Sequence, residues 1–137
     1  MMKSKKTISA LLAVFALIVS SLACNFGGKP GVSNIHMSTD ESGETTVTSY
    51  SPMDDFYVYF DVNLVDVGTP FEGRWYALDI EGEDPSTPFS TIDYNLEEGV
   101  GSVYFQLFND SDWPIGTYRV EVYMEDAKVG EQQFNVR

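Results

Sequence analysis

The sequence predicts an all-β domain, an antiparallel sandwich of seven to eight short strands preceded by a signal-peptide helix. Three observations carry that expectation. Apolar and polar residues alternate at period two over several short runs, the pattern of half-buried strands. Turn-forming residues fall between those runs. After residue 33 no long stretch shows helical periodicity. The chain has 137 residues, room for one ordinary domain. Apolar residues at 43% and aromatics at 14% exclude a wholly disordered chain. A net charge of −13 excludes a nucleic-acid binder, because neutralising phosphates needs a basic surface. One Cys and one His exclude a zinc cluster and an internal disulfide.

In chain order, residues 1–23 read as a targeting segment. Lys3, Lys5 and Lys6 make a positive start. The run from Ile8 to Val19, broken only by Ser9, is shorter than the roughly 20 apolar residues that cross a bilayer. A basic start, a short apolar run and small residues before a cut describe a secretory signal. A helix is expected over Ser4 to Leu22, detached from the sandwich. The stretch Ser21-Leu22-Ala23-Cys24 resembles the lipobox of bacterial lipoproteins, with Ser21 where an aliphatic residue is commoner. That resemblance implies cleavage before Cys24 and lipid on its thiol and new amino group. A lone Cys in an exported chain would otherwise be a stray reactive thiol. Each buried acyl methylene contributes about 0.8 kcal/mol to anchoring.

Removing residues 1–23 leaves Lys29, Arg74, Arg119, Lys128 and Arg137 against 21 acidic residues. Anionic headgroups would repel such a chain, so it depends on a covalent anchor to stay at a membrane. Residues 24–33 form a lipidated Cys and flexible tether. Gly27, Gly28, Pro30 and Gly31 discourage helix and strand there. Fully extended, the tether reaches at most about 30 Å. The domain is expected over residues 34–137.

Within it, the clearest strand runs from Phe56 to Leu64. Phe56, Val58, Phe60, Val62 and Leu64 share one face, and Tyr57, Tyr59, Asp61 and Asn63 the other. Tyr118, Val120, Val122 and Met124 alternate against Thr117, Arg119, Glu121 and Tyr123. Val103, Phe105 and Leu107 alternate against Ser102, Tyr104 and Gln106. Weaker strands are expected at Asn34–Thr39, Thr45–Tyr50, Glu72–Ile80, Thr91–Asn95 and Gln132–Val136. Breaks fall at Ser42-Gly43, Gly68 to Pro70, Asp84-Pro85, Pro88, Gly99 to Gly101, Pro114 to Gly116 and Gly130. Trp75, Tyr118, Phe60, Val120, Phe105 and Phe134 are expected to be buried together.

Two features resemble the immunoglobulin-like family, over roughly Asp54 to Arg137. Trp75 lies on the third main strand region, where such domains bury a Trp against the opposite sheet. Gly116-Thr117-Tyr118-Arg119-Val120 resembles the tyrosine corner, whose hydroxyl bonds to upstream backbone. It is also similar to the penultimate strand of fibronectin type III domains, although those carry their Trp one strand earlier. The resemblance implies an immunoglobulin-like sandwich with Val120 at the position of the second inter-sheet Cys. It implies nothing specific about function.

Candidate chemistry is sparse. No phosphate loop, metalloprotease motif or nucleophile elbow occurs. His36 has nothing nearby in sequence to complete a catalytic site and reads as structural or solvated. Trp113, just before Pro114, reads as a plug for the end of the core. In the implied topology Asp54, Asp55, Glu81, Glu83, Asp84, Asp110 and Asp112 share one pole. Calcium takes six to eight oxygen ligands from such groups, so weak calcium binding stands beside a plain solvated acidic end. Tyr57, Tyr59 and Tyr104 share an outward sheet face, where a sugar or partner protein could stack. The alternative is that these rings only stabilise the sheet.

These readings describe a non-catalytic, lipid-anchored binding or structural module of the cell membrane or outer envelope. Its partners would be the membrane, through the N-terminal lipid, and an envelope protein or glycan. Alternatives are a carbohydrate-binding module using the Tyr face, and an inhibitor of a secreted enzyme presenting Glu83–Phe89.

Overall fold

A computed structural model describes residues 30–137, and Gly31–Arg137 form one compact unit. The expected signal helix, Cys24 and the tether as far as Lys29 lie outside the described residues. The eight strands are β1 (Gly31–Ser38), β2 (Ser49–Tyr50), β3 (Phe56–Asn63), β4 (Pro70–Ala77), β5 (Ser90–Asn95), β6 (Ser102–Leu107), β7 (Gly116–Met124) and β8 (Ala127–Val136). One sheet has the order β1-β3-β6 and the other β2-β8-β7-β4-β5. All pairings are antiparallel except β2 with β8. The all-β sandwich is therefore as expected.

The period-two pattern decides which side chains enter the core. Phe56, Val58 and Phe60 of β3, with Val103 and Phe105 of β6, are buried from one sheet. Phe71 and Trp75 of β4, Tyr118, Val120 and Val122 of β7, and Phe134 of β8 are buried from the other. All six residues expected to share the core belong to one buried cluster. Trp75 is fully enclosed, and its indole N–H finds no hydrogen-bond partner, so it contributes by packing. The Tyr118 hydroxyl donates to the Pro114 carbonyl at 2.6 Å, the geometry of a tyrosine corner. Val58 and Val120 are both fully buried, and packing takes the place of a disulfide between the sheets.

Several boundaries differ from expectation, each for a local reason. β1 begins at Gly31, because Gly31–Ser33 pair with Asp61–Asn63, so the tether ends sooner. A bulge follows, with Asn34 at φ 55. β3 stops at Asn63, and Leu64 is exposed in a left-handed turn at φ 54 rather than facing the core. Of the run Thr45–Tyr50 only Ser49–Tyr50 forms a strand, because the chain is crossing from one sheet to the other. There Val47 N–H still donates to Met37 of β1, while Asn135 N–H of β8 donates to Thr48. β4 begins at Pro70 and ends at Ala77, short of Ile80.

The largest difference is β8. Gly130 was expected as a break, yet it lies inside the strand beside the irregularity at Val122/Tyr123. A Cβ there would overlap Ile35 from the β1 bulge, so this glycine serves close packing. The reversal is instead made by Glu125 and Asp126, at φ 51 and 67 between β7 and β8. Two positive φ values in a two-residue loop are type I′ geometry, which favours Asn-Gly.

Two stability tests follow from this packing. Phe60→Ala should cost about 3–5 kcal/mol in denaturant unfolding, as core aromatic truncations do. A change within error of zero would remove Phe60 from the core. Replacing Glu125-Asp126 by Asn-Gly should raise stability by about 1 kcal/mol, because left-handed backbone burdens residues with a Cβ. A destabilised variant would contradict the turn geometry.

Candidate functional site

The register defines two poles. At one pole the chain enters at Gly31 beside Asn63, and the tight β7–β8 turn lies at that same end. At the opposite, distal pole lie the loops 51–55, 78–89 and 108–115. The topology thus places Asp54, Asp55, Glu81, Glu83, Asp84, Asp110 and Asp112 at the distal pole.

Sharing a pole does not make them a ligand set. Among the described residues no three His, Cys, Asp or Glu side chains come together as a metal site. The hydrogen bonds of three of these acids show what their carboxylates do in this fold. Asp55 accepts hydrogen bonds from Asn109 N–H at 2.7 Å and Gln106 Nε2 at 2.9 Å. Asp54 accepts from Ser51 N–H at 2.8 Å. Asp84 accepts from the Ser86 hydroxyl and N–H and from Thr87. Those bonds, Ser86 first, hold the Asp84 carboxyl below its usual range. These acids cap loops. The loop Glu83–Phe89 is shaped by Asp84 in this way.

The same loops are stapled to one another. Pro52 O accepts from Trp113 N–H and from the Asn109 side chain. Trp113 Nε1 donates to Asp54 O at 2.7 Å, and its ring stacks on Phe56 with centroids 4.5 Å apart. Trp113 therefore closes the core end, as expected. Thr117 N–H donates to Asp79. On this rigid platform Met53, Phe108 and Ile115 are 75%, 69% and 69% exposed, a feature the sequence reading missed. Its signal was present: apolar residues inside turn-rich segments have no strand face to bury them.

The three outward tyrosines do share a face, but not one environment. Tyr57 and Tyr104 lie with ring centroids 6.3 Å apart, and Tyr104 is exposed. Gln106 Nε2 donates to the Tyr57 hydroxyl. Tyr59 is taken up by the β1–β2 loop. His36 packs on its ring, and a Cβ on Gly43, at φ 71, would overlap that ring. His36 Nδ1 lies 2.8 Å from Asn34 O and Nε2 2.7 Å from Gly43 O, a staple that gives this histidine a structural role.

The outer face of the larger sheet carries a second unforeseen cluster. Register puts Arg74 opposite Glu121, Glu72 opposite Tyr123 and Tyr76 opposite Arg119. Arg74 sits 3.8 Å over the Tyr123 ring, and Arg119 4.7 Å over Tyr76. Glu121 is only 7% exposed. Burial alone would raise its carboxyl, but hydrogen bonds from Tyr123 and Tyr76, with Lys128 and Arg119, hold it below the usual range. Arg119 Nε lies 3.0 Å from Glu121, yet its N–H is not aimed along a hydrogen bond, so that pair is Coulombic. These cations are matched by carboxylates, which makes this face a self-contained ladder.

The fold is shared with a solved structure. An immunoglobulin-like protein from Pseudomonas aeruginosa is similar with a TM-score of 0.56 and 16% identity, over 81% of this chain and 100% of that one. The human F-spondin reeler domain is similar with a TM-score of 0.49 and 9% identity, over 80% of this chain and 93% of that one. No family model and no curated protein matches the sequence. The described chain is an immunoglobulin-like β-sandwich.

Burial sets an alkaline limit on this sandwich. It raises the Tyr50 and Tyr118 phenols, each to about 12. Their contribution to stability is whole below the unfolded value of 10.0 and is lost as pH rises through about 12. Melting temperature should fall across that window together with the appearance of tyrosinate absorbance. Tyr118→Phe should cost about 1–3 kcal/mol at neutral pH, by orphaning the Pro114 carbonyl, and should shrink the alkaline loss. An unchanged alkaline profile would mean Tyr118 titrates freely.

Proposed function

We infer that this protein is a lipid-anchored, non-catalytic binding module of the cell envelope. The observation that carries this reading is a set of exposed apolar side chains on hydrogen-bonded loops, while Leu64 and Val67, at 66% and 64%, are exposed in the β3–β4 loop at the other pole. Met53, Phe108 and Ile115 stand on stapled loops at the pole opposite the chain's entry at Gly31. Apolar side chains held exposed on a rigid platform are what a binding surface requires. Among the described residues no helix is long and apolar enough to cross a membrane. The acidic rim favours a partner of basic surface. His36 supports a non-catalytic reading, since its ring lies between the Asn34 and Gly43 carbonyls and packs on Tyr59.

A carbohydrate-binding module is the second reading, favoured by the Tyr57–Tyr104 ring pair on the outer face of β3 and β6. Glycan-array signal lost in Tyr104→Ala would support it over the first.

Two variants test the main reading. Cys24→Ala should stop labelling by a fatty-acid analogue and shift the protein out of the membrane fraction. Equal labelling of both forms would overturn the anchor. Phe108→Ser with Ile115→Ser should abolish capture of an envelope partner that the wild type retains, while melting stays close to wild type. Capture unchanged by the double variant would overturn the distal surface.

A further inference from the structure

The sandwich is open along one side. β5 and β6 are edge strands of opposite sheets and do not pair with each other. Between them runs a groove of about 390 Å³, lined by Ile92, Tyr94, Val100, Val103 and Phe105, with Asp93 among its walls. Ile92, Tyr94 and Val100 are only half-buried, because nothing in the described fold closes over them.

The backbone of β6 is presented to this groove. Val62 N–H donates to Gly101 O at 2.9 Å, which marks these two residues as a hydrogen-bonded pair. Alternation then turns the N–H and C=O groups of Val103, Phe105 and Leu107 toward β3. Those of Ser102, Tyr104 and Gln106 point the other way, to the open edge. Edge strands normally carry a device against pairing with another chain. β1 has its bulge at Asn34, β2 is two residues long, and β5 carries Asp93. β6, Ser102 to Leu107, has no charge, no proline and no bulge.

We propose that the β6 edge accepts an extended peptide segment of a partner protein, added as a further strand, with alternate apolar side chains in the groove and cationic residues beside it. The backbone groups of Ser102, Tyr104 and Gln106 hold the segment, and Ile92, Tyr94, Val103 and Phe105 take its apolar side chains. The cationic preference follows from charge. Asp93 lines the groove, Asp61 is bonded to Ser102 at the other flank, and the whole chain is at −13. The same charge disfavours a second copy of this chain as occupant. This surface is distinct from the distal pole and does not depend on Cys24, so failure of the anchor reading leaves it standing.

The test uses the full-length protein in mild detergent and a capped, fluorescent seven-residue peptide alternating valine and lysine. Anisotropy should show saturable binding. Two versions of the peptide are N-methylated, each on one alternate set of amides. Only the set facing β6 donates to it, so one version should lose at least about tenfold in affinity and the other should not. Equal affinities for the two methylated peptides would overturn strand addition. Tyr104→Pro should abolish binding with little change in melting, since that N–H makes no bond to β3. Because a proline variant can misfold, amide exchange in the wild type gives a second readout. Ser102, Tyr104 and Gln106 should exchange fast in the free protein and slowly with peptide, while Val103 and Phe105 stay slow throughout. Slow exchange of all five in the free protein would overturn the open edge. A peptide with glutamate for lysine should bind at least about tenfold more weakly at low salt, and equal binding would overturn the cationic preference. Light scattering that finds a dimer displaced by no peptide would assign the edge to a second copy and overturn the proposal.

Discussion

Phe56 is the contact on which the rest of the sandwich depends. It is the first residue of β3, fully buried, and its ring meets those of Tyr50, Trp75, Trp113, Tyr118 and Phe134. Those rings come from β2, β4, the β6–β7 loop, β7 and β8, so one side chain joins both sheets and a loop. With a single Cys in the chain, no covalent link between sheets supplements it. Cohesion comes from dispersion and apolar burial, which act only at close contact. That explains why the tyrosine corner and the Trp113 plug both converge at this end, where the loops would otherwise gape.

The same end carries the greatest concentration of like charge, and the two facts are connected. Carboxylates at the distal pole repel one another, which would favour open loops. Asp54, Asp55 and Asp84 instead spend their oxygens on backbone and side-chain donors within the loops. The result is a stiff platform that keeps Met53, Phe108 and Ile115 exposed without unfolding around them. Charge on the larger sheet is handled otherwise. Arg74, Arg119 and Lys128 each face Glu72, Glu121 or Glu131, and two of the cations also cover tyrosine rings. Matched pairs of this kind leave little net field, whereas the distal acids leave a strong one.

Tyr50 and His36 show how the first sheet is tied to the chain that leaves it. The Tyr50 hydroxyl donates to Ser38 O at 2.6 Å, although its own strand belongs to the other sheet. His36 bonds the carbonyl of Gly43 on the departing loop. Both are side chain to backbone bonds across a strand switch, where ladder hydrogen bonds run out and polar backbone needs other partners.

Much of the fold was legible because strands bury alternate residues, and alternation is written locally. Phe56 to Phe60, Val103 to Leu107 and Tyr118 to Met124 show it directly, and so does the tyrosine at the corner. What stayed illegible depends on residues far apart in sequence. Gly130 reads as a break until Ile35 is seen to need its missing Cβ. Glu125-Asp126 has no turn signature, yet the pairing of β7 with β8 forces both residues to positive φ. Seven acids could be assigned to one pole from strand order alone, but only the bonds from Asn109, Gln106 and Ser86 show that Asp55 and Asp84 are engaged in holding their loops. By itself the sequence determined the strand pattern, the core residues and the acidic balance, because these follow from periodicity and composition. Tertiary structure decided which edges stay open and which side chains remain free to meet a partner, because exposure depends on what the rest of the chain brings alongside.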